Sequence, residues 1–152
     1  MHGLFYRFAA VALISVAFTS ASPAADPAKP HHIAIQVDQN DPQLMNLVLG
    51  NATNVIEYYR DKNEEVDIDI VAYGPGLHML RSDTSPVQDR IRRLKDMVFP
   101  GKIQFSACDN TKQGMEKAEG HPIALLPDAT VVPSGVVHLS ELQEQGWSYV
   151  RP

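Results

Sequence analysis

The feature that most constrains the fold is a repeated alternation of short apolar segments with amphipathic helical segments. The first apolar segment, His31 to Val37, contains the run Ile33–Val37, which is apolar enough for a strand that is covered on both faces. Asp41 and Pro42 follow it, a side-chain acceptor at the N-cap and a proline at the first helical position. Strands that alternate with helices favour a parallel sheet, so the chain is predicted to adopt an α/β layer fold with a mainly parallel sheet.

The same alternation continues to the end of the chain. Apolar periodicity, caps and breakers predict the following elements: a helix from Pro42 to about Lys62, a strand at Val66–Tyr73, a helical turn around Leu77 and Leu80, a helix after Ser85, a strand ending at Cys108, a helix at Asp109–Glu119, a strand at Thr130–Val132, a helix at Gly135–Gln145 and a strand at Trp147–Val150. In the second strand, Asp67 and Asp69 alternate with apolar residues, which predicts a strand that enters from solvent.

The segment after Ser85 combines a helix start with a run of charges. Ser85 to Gln88 has the pattern of a capping box, with proline at the first helical position, and an apolar stripe continues from it. The charges around the stripe predict a solvated face with the pairs Asp89–Arg93 and Arg92–Asp96. Anion binding by this basic run is the lesser alternative.

The N-terminus has the pattern of a secretory signal peptide. An apolar run follows Arg7 and ends in small residues, which predicts a signal peptide at 1–25, a linker at 26–30 and one domain at 31–152. An uncleaved N-terminal anchor is the lesser alternative. We therefore expect a periplasmic or secreted protein with no membrane association after cleavage. The full sequence has a formal net charge of −5, which disfavours nucleic acid as a partner.

Cys108 is the only cysteine and the first candidate for catalysis. It ends a predicted strand just before a helix, where free backbone N–H groups and the helix dipole favour the thiolate. Asp109 beside it would oppose ionisation. Because exported proteins normally use cysteines in pairs, a single one requires a reason. Three interpretations stay open: a reactive thiol, an intermolecular disulfide partner, and a buried, inert side chain.

Ligands of parallel sheets bind outside the carboxyl ends of the strands, an edge that we call the carboxyl edge. The candidate binding residues at this edge, besides Cys108, are Asn40, Gly74, Gly76, His78, Asp109, Asn110 and Ser134. His78 is a candidate to stabilise a thiolate or shuttle a proton, or else an ordinary polar residue. Gly74 and Gly76 let backbone approach a ligand, or simply form a tight turn.

Common cofactor and metal motifs are absent from the sequence. It contains no GxGxxG, phosphate loop, Gly-x-Ser-x-Gly or HExxH pattern, so no cofactor and no metal site are predicted. Metal binding by Cys108 together with His78, His121 and His138 stays an open alternative, although no sequence motif supports it. His31 and His32 begin the first strand, at the edge opposite Cys108.

Five short segments, in this order and spacing, resemble the DsrE/DsrF-like family: NATN at 51–54, VAYGPG at 71–76, ACDNT at 107–111, VPSGVV at 132–137 and LQEQGWSYV at 142–150. The resemblance covers His31 to Pro152 and implies a three-layer α/β/α fold of about five parallel strands. It also implies a homo-oligomer, a trimer or hexamer.

The best-understood relatives are intracellular sulfur-relay proteins with a persulfide on a cysteine after the third strand, and that position here is Cys108. The resemblance therefore implies an exported sulfur carrier or sulfurtransferase, with a thiol or sulfur-donor protein as partner. Two alternatives stay open. One is a non-catalytic oligomeric module that binds a small ligand or metal, with a structural cysteine, and the other is an interaction protein of an exported redox system.

Overall fold

The computed structural model describes residues 30–152, so the predicted signal peptide and nearly all of the predicted linker lie outside the described residues. The strands are β1 (His31–Val37), β2 (Val66–Ala72), β3 (Lys102–Cys108), β4 (Ala129–Val132) and β5 (Ser148–Val150). The helices are α1 (Pro42–Asp61), α2 (Gln88–Met97), α3 (Asp109–Glu119) and α4 (Gly135–Glu144), and a 3-10 helix spans Gly74–Leu80.

The five strands form one parallel sheet in the order β4-β3-β2-β1-β5. Ile70 of β2 is in register with Ile35 of β1 on one side and with Phe105 of β3 on the other. Because the sheet is parallel throughout, all strands end at the same edge. The predicted three-layer α/β/α fold is confirmed.

The two faces of the sheet are covered unequally. The main apolar core lies on the face that carries α1, α2, α3 and the 3-10 helix, and it includes Phe105, Met45 and Ile91, all fully buried. The opposite face carries α4 alone, which packs Leu139 and Leu142 against the sheet. This second face therefore has a thin outer layer that consists of one ten-residue helix.

Local sequence signals account for three of the helix ends. Asp41 caps α1 by accepting from the backbone N–H of Gln43 (2.8 Å), and Ser134 caps α4 by accepting from Val137. Gly120 ends α3 in the left-handed conformation, at a φ of 76° that glycine tolerates.

The predicted capping box at Ser85 is wrong. The helix α2 begins only at Gln88, with Val87 rather than Ser85 at the N-cap position. The Ser85 hydroxyl donates to the carbonyl of Met79 (2.5 Å) in the preceding 3-10 helix and accepts from the Val87 N–H at 3.4 Å. The predicted charge pairs also differ, since Asp89 pairs with Arg92 one helical turn away. The apolar stripe itself is buried as predicted, through Val87, Ile91, Leu94 and Val98.

Arg81 anchors the end of the 3-10 helix to α3. Its guanidinium is 2% exposed and forms two-point ion pairs with Glu119 (2.5 and 2.9 Å) and Asp83 (2.9 and 2.7 Å). The two carboxylates neutralise the charge of the buried guanidinium. The contact fixes the loop after β2 relative to the helix after β3, and these two segments flank Cys108.

Within residues 30–152, no helix combines the length and the apolar character that crossing a membrane requires.

Candidate functional site at the carboxyl edge of the sheet

Cys108 is the last residue of β3 and occupies the N-cap position of α3. Side chains alternate along a strand, and Ile103, Phe105 and Ala107 point into the main core. Cys108 therefore lies on the second face, in line with Ser106. It is 4% exposed, so the thiol is almost fully covered by its surroundings.

At Cys108, the connections that follow two neighbouring strands run to opposite faces of the sheet. The chain leaves β3 toward α3, on the main-core face, and leaves the neighbouring strand β4 toward α4, on the second face. Cys108 is in register with Val132, the last residue of β4. Ligands of open α/β sheets bind where the connections of adjacent strands part in this way. The thiol therefore lies between the N-termini of two helices.

Hydrogen-bond donors from both helices surround the sulfur. Burial by itself raises the pKa of the Cys108 thiol, whereas the nearby Thr111 hydroxyl and the nearby backbone N–H groups of Gly135, Thr111 and Asn110 lower it. Their combined effect is larger than that of burial, and the pKa of the thiol is lowered. Because donors that favour the charged form stabilise a thiolate, the site is prepared for a negatively charged sulfur.

Neighbouring segments hold these donors in place. The backbone N–H of Gly74 donates to the Thr111 Oγ1 (2.9 Å), which leaves the hydroxyl hydrogen of Thr111 free to point at the sulfur. A Cβ on Gly135 would lie 2.8 Å from the Cβ of Tyr73, so α4 begins in contact with the end of β2. Three segments, after β2, β3 and β4, thus meet at the thiol.

The structure brings only some of the predicted edge residues to Cys108. The backbone N–H of Asn110 donates to the carbonyl of Pro133 (3.3 Å) and lies close enough to lower the pKa of the thiol, and Ser134 acts through its cap of α4, next to Gly135. Gly74 acts through Thr111. Gly76 serves a tight backbone approach, because a Cβ there would lie 2.2 Å from the carbonyl oxygen of Val37.

The remaining predicted residues have other partners. The Nδ1 of His78 is hydrogen-bonded to the Thr84 Oγ1 (2.8 Å), and Asp109 accepts from the Gln113 amide (2.6 Å). Asn40 is exposed after β1. Thr111 was not among the predicted site residues, although the segment ACDNT at 107–111 contains it.

Sequence reasoning also missed a buried polar network on the second face. Asp69 is 3% exposed, which corrects its interpretation as a residue of a solvent-facing strand end. It accepts from the Ser106 hydroxyl (2.7 Å), the His138 Nε2 (2.8 Å) and the Gln104 amide (3.2 Å). Burial raises the pKa of Asp69 above its usual value, although the bonds from His138 and Ser106 act in the opposite direction.

This network is not a nucleophilic triad. In a triad, the histidine lies between the serine and the carboxylate and takes the proton of the serine. Here the carboxylate of Asp69 accepts from both other groups, and Ser106 is fully buried. The network instead joins β2, β3 and α4.

No group of three or more metal-binding side chains comes together anywhere in residues 30–152. His31 and His32 lie at the opposite edge, where they stack on Tyr59 and Trp147.

A shallow groove of about 250 Å³ runs beside the first turn of α4. Val132, Pro133, Ser134, Val137, His138 and Glu141 line it. Val137 is 53% exposed there.

A sequence model of the DsrE/DsrF-like family matches residues 32–152, the whole of the described domain apart from its first two residues. The chain belongs to this family. The DsrE/DsrF-like family is associated with sulfur relay. The search of curated proteins finds no match.

A solved structure supports the same assignment. The chain is similar to the protein of unknown function MTH1491 from Methanobacterium thermoautotrophicum, at 31% sequence identity and a TM-score of 0.67. The match covers 80% of this chain and 99% of that chain.

Proposed function

We propose that this DsrE/DsrF-like protein is an exported sulfur carrier, in which Cys108 holds a sulfur atom as a persulfide. The observation that carries the proposal is the arrangement of N–H and O–H donors from two helix starts around the only cysteine. These donors lower the pKa of the thiol and would equally stabilise a persulfide anion.

The chemistry consists of two thiol exchanges. The Cys108 thiolate attacks the outer sulfur of a donor persulfide, so that a new S–S bond forms and the donor leaves as a thiolate. An acceptor thiolate then attacks the outer sulfur on Cys108, takes it up as its own persulfide and releases the Cys108 thiolate. No net oxidation or reduction occurs, so neither step requires a cofactor.

The proposed partners follow from this chemistry. The donor and acceptor are thiol or persulfide groups of other proteins or small molecules, and the groove beside α4 offers a surface next to the site. We further propose a homo-oligomer in the periplasmic or secreted compartment. The signal-peptide pattern supports the location, and the family membership supports the assembly.

The test is the intact mass of the purified mature protein after brief exposure to polysulfide. The folded wild type should gain the mass of a sulfur atom, a reductant should remove it, and Cys108→Ser should gain none. An equal gain on Cys108→Ser, or no gain on the wild type, would refute the proposal.

The burial of Cys108 favours a second candidate function, a non-catalytic binding module with a structural cysteine. At 4% exposure, the thiol is covered as a small apolar side chain would be. In that case a thiol-blocking reagent modifies Cys108 only after unfolding. Modification of the native protein would exclude this candidate.

A further inference from the structure

The first turn of α4 lies against both the thiol and the buried polar network. The backbone N–H of Gly135 is one of the groups that lower the pKa of the Cys108 thiol, and the Nε2 of His138, three residues later, donates to Asp69 (2.8 Å). Residues three apart lie on the same side of a helix, so both contacts fix the same turn against the sheet.

The network also reaches the strand that carries the thiol. Ser106 precedes Cys108 by two residues and points to the same face, where its hydroxyl donates to the other carboxylate oxygen of Asp69 (2.7 Å). Asp69 therefore connects β3, which carries the sulfur, with α4, which carries the Gly135 donor.

Few other contacts hold α4. The apolar cluster beneath it has four buried residues, Ala34, Val71, Leu139 and Leu142, with Tyr73 and Trp147 partly buried against them, whereas Val136 and Val137 are exposed. A buried carboxylate is unstable unless hydrogen-bond donors surround it, and hydrogen bonds are directional. The three donors to Asp69 therefore fix the distance between α4 and β3 better than apolar packing does.

We propose that His138, Asp69 and Ser106 are positioning residues that hold the first turn of α4 against Cys108. They touch neither the sulfur nor a sulfur donor, and they act by keeping the Gly135 N–H on the sulfur. The inference deepens the proposed function and rests on it for the use of the thiolate.

The test is a pH titration of the Cys108 thiolate by its ultraviolet absorbance, with Cys108→Ser as the blank. His138→Leu removes the donor to Asp69 and should raise the pKa of the thiol, with a thiolate fraction at neutral pH about tenfold lower. His138→Gln retains a side-chain N–H donor and should titrate close to the wild type.

Leu142→Ala is the matched control, because it weakens α4 through its apolar contact one turn beyond His138. It should lower the stability to urea and leave the thiol titration unchanged. If His138→Leu does not fold, Ser106→Ala removes a second donor to Asp69 with a minimal change of volume and should shift the titration in the same direction.

Two results would overturn the inference. One is a wild-type titration in His138→Leu or, where that variant does not fold, in Ser106→Ala. The other is an equal shift in Leu142→Ala, which would assign the effect to general packing of α4. The titration needs no sulfur donor, so it tests the positioning role even if Cys108 gains no sulfur in the mass experiment.

Discussion

Thr111 is the residue whose replacement tests the electrostatics of the site most directly. Thr111→Val keeps the side-chain volume but removes the hydroxyl that lowers the pKa of Cys108 and accepts from the Gly74 N–H (2.9 Å). The backbone donors at Asn110, Thr111 and Gly135 stay in place, so the substitution isolates one contribution.

The expected magnitude follows from the hydrogen bonds that are lost. A hydrogen bond to a charged group contributes about 1.5–3 kcal/mol, and we take the lower end because Thr111 is partly exposed. Since about 1.4 kcal/mol corresponds to a factor of ten, the pKa of the thiol should rise and the thiolate fraction at neutral pH should fall about tenfold. Losing the acceptor for Gly74 should lower the free energy of unfolding by about 1 kcal/mol.

The assay combines the thiolate titration with urea unfolding. Thr111→Ser retains the hydroxyl and serves as the matched control, which should titrate close to the wild type. A wild-type titration in Thr111→Val would refute the argument that the side chain of Thr111 stabilises the thiolate.

Two further predictions concern the loop between β2 and α2. Gly76→Ala places a Cβ 2.2 Å from the carbonyl oxygen of Val37, and since backbone cannot rotate away, urea unfolding should show a loss of about 3 kcal/mol. Gly114→Ala, in α3 with no atom within 4 Å, should cause no loss, and equal stability of the two variants would contradict the reasoning. Arg81 lowers the pKa of Asp83 from 3.8 to about 2, so the stability from this pair is complete above about pH 4 and is lost as the pH falls through about 2. As the pH falls over this range, the free energy of unfolding of Asp83→Asn should therefore decrease less than that of the wild type. Urea unfolding followed by fluorescence measures both values, and equal decreases would contradict a stabilising role of the Arg81–Asp83 pair.

The fold could be predicted because local signals and periodicity agreed. The predicted bounds of β1 at His31–Val37 and of α3 at Asp109–Glu119 are confirmed without change, as is the predicted end of β3 at Cys108. Helix ends were predictable where a residue's chemistry permits few alternatives, as for Asp41 at the N-cap of α1 and Gly120 at the end of α3.

The site was less predictable because it depends on contacts between distant segments. Asp69 alternates with apolar residues just as Asp67 does, and only the packing of α4 distinguishes the buried carboxylate from the partly exposed one. Ser85 fits a capping box by spacing, yet its hydroxyl bonds to the carbonyl of Met79. His78 was a candidate by its place after β2, but its ring bonds to Thr84.

Because the two sheet faces are covered unequally, the residues of β3 that build the main core and the residues that build the site point to different faces. Ile103, Phe105 and Ala107 point into the main core, whereas Ser106 and Cys108 point toward α4. Related chains can therefore diverge in reactivity by exchanging alternate residues of one strand and the facing turn of one helix. The other face of the same strand keeps the volume and apolar character that the core requires.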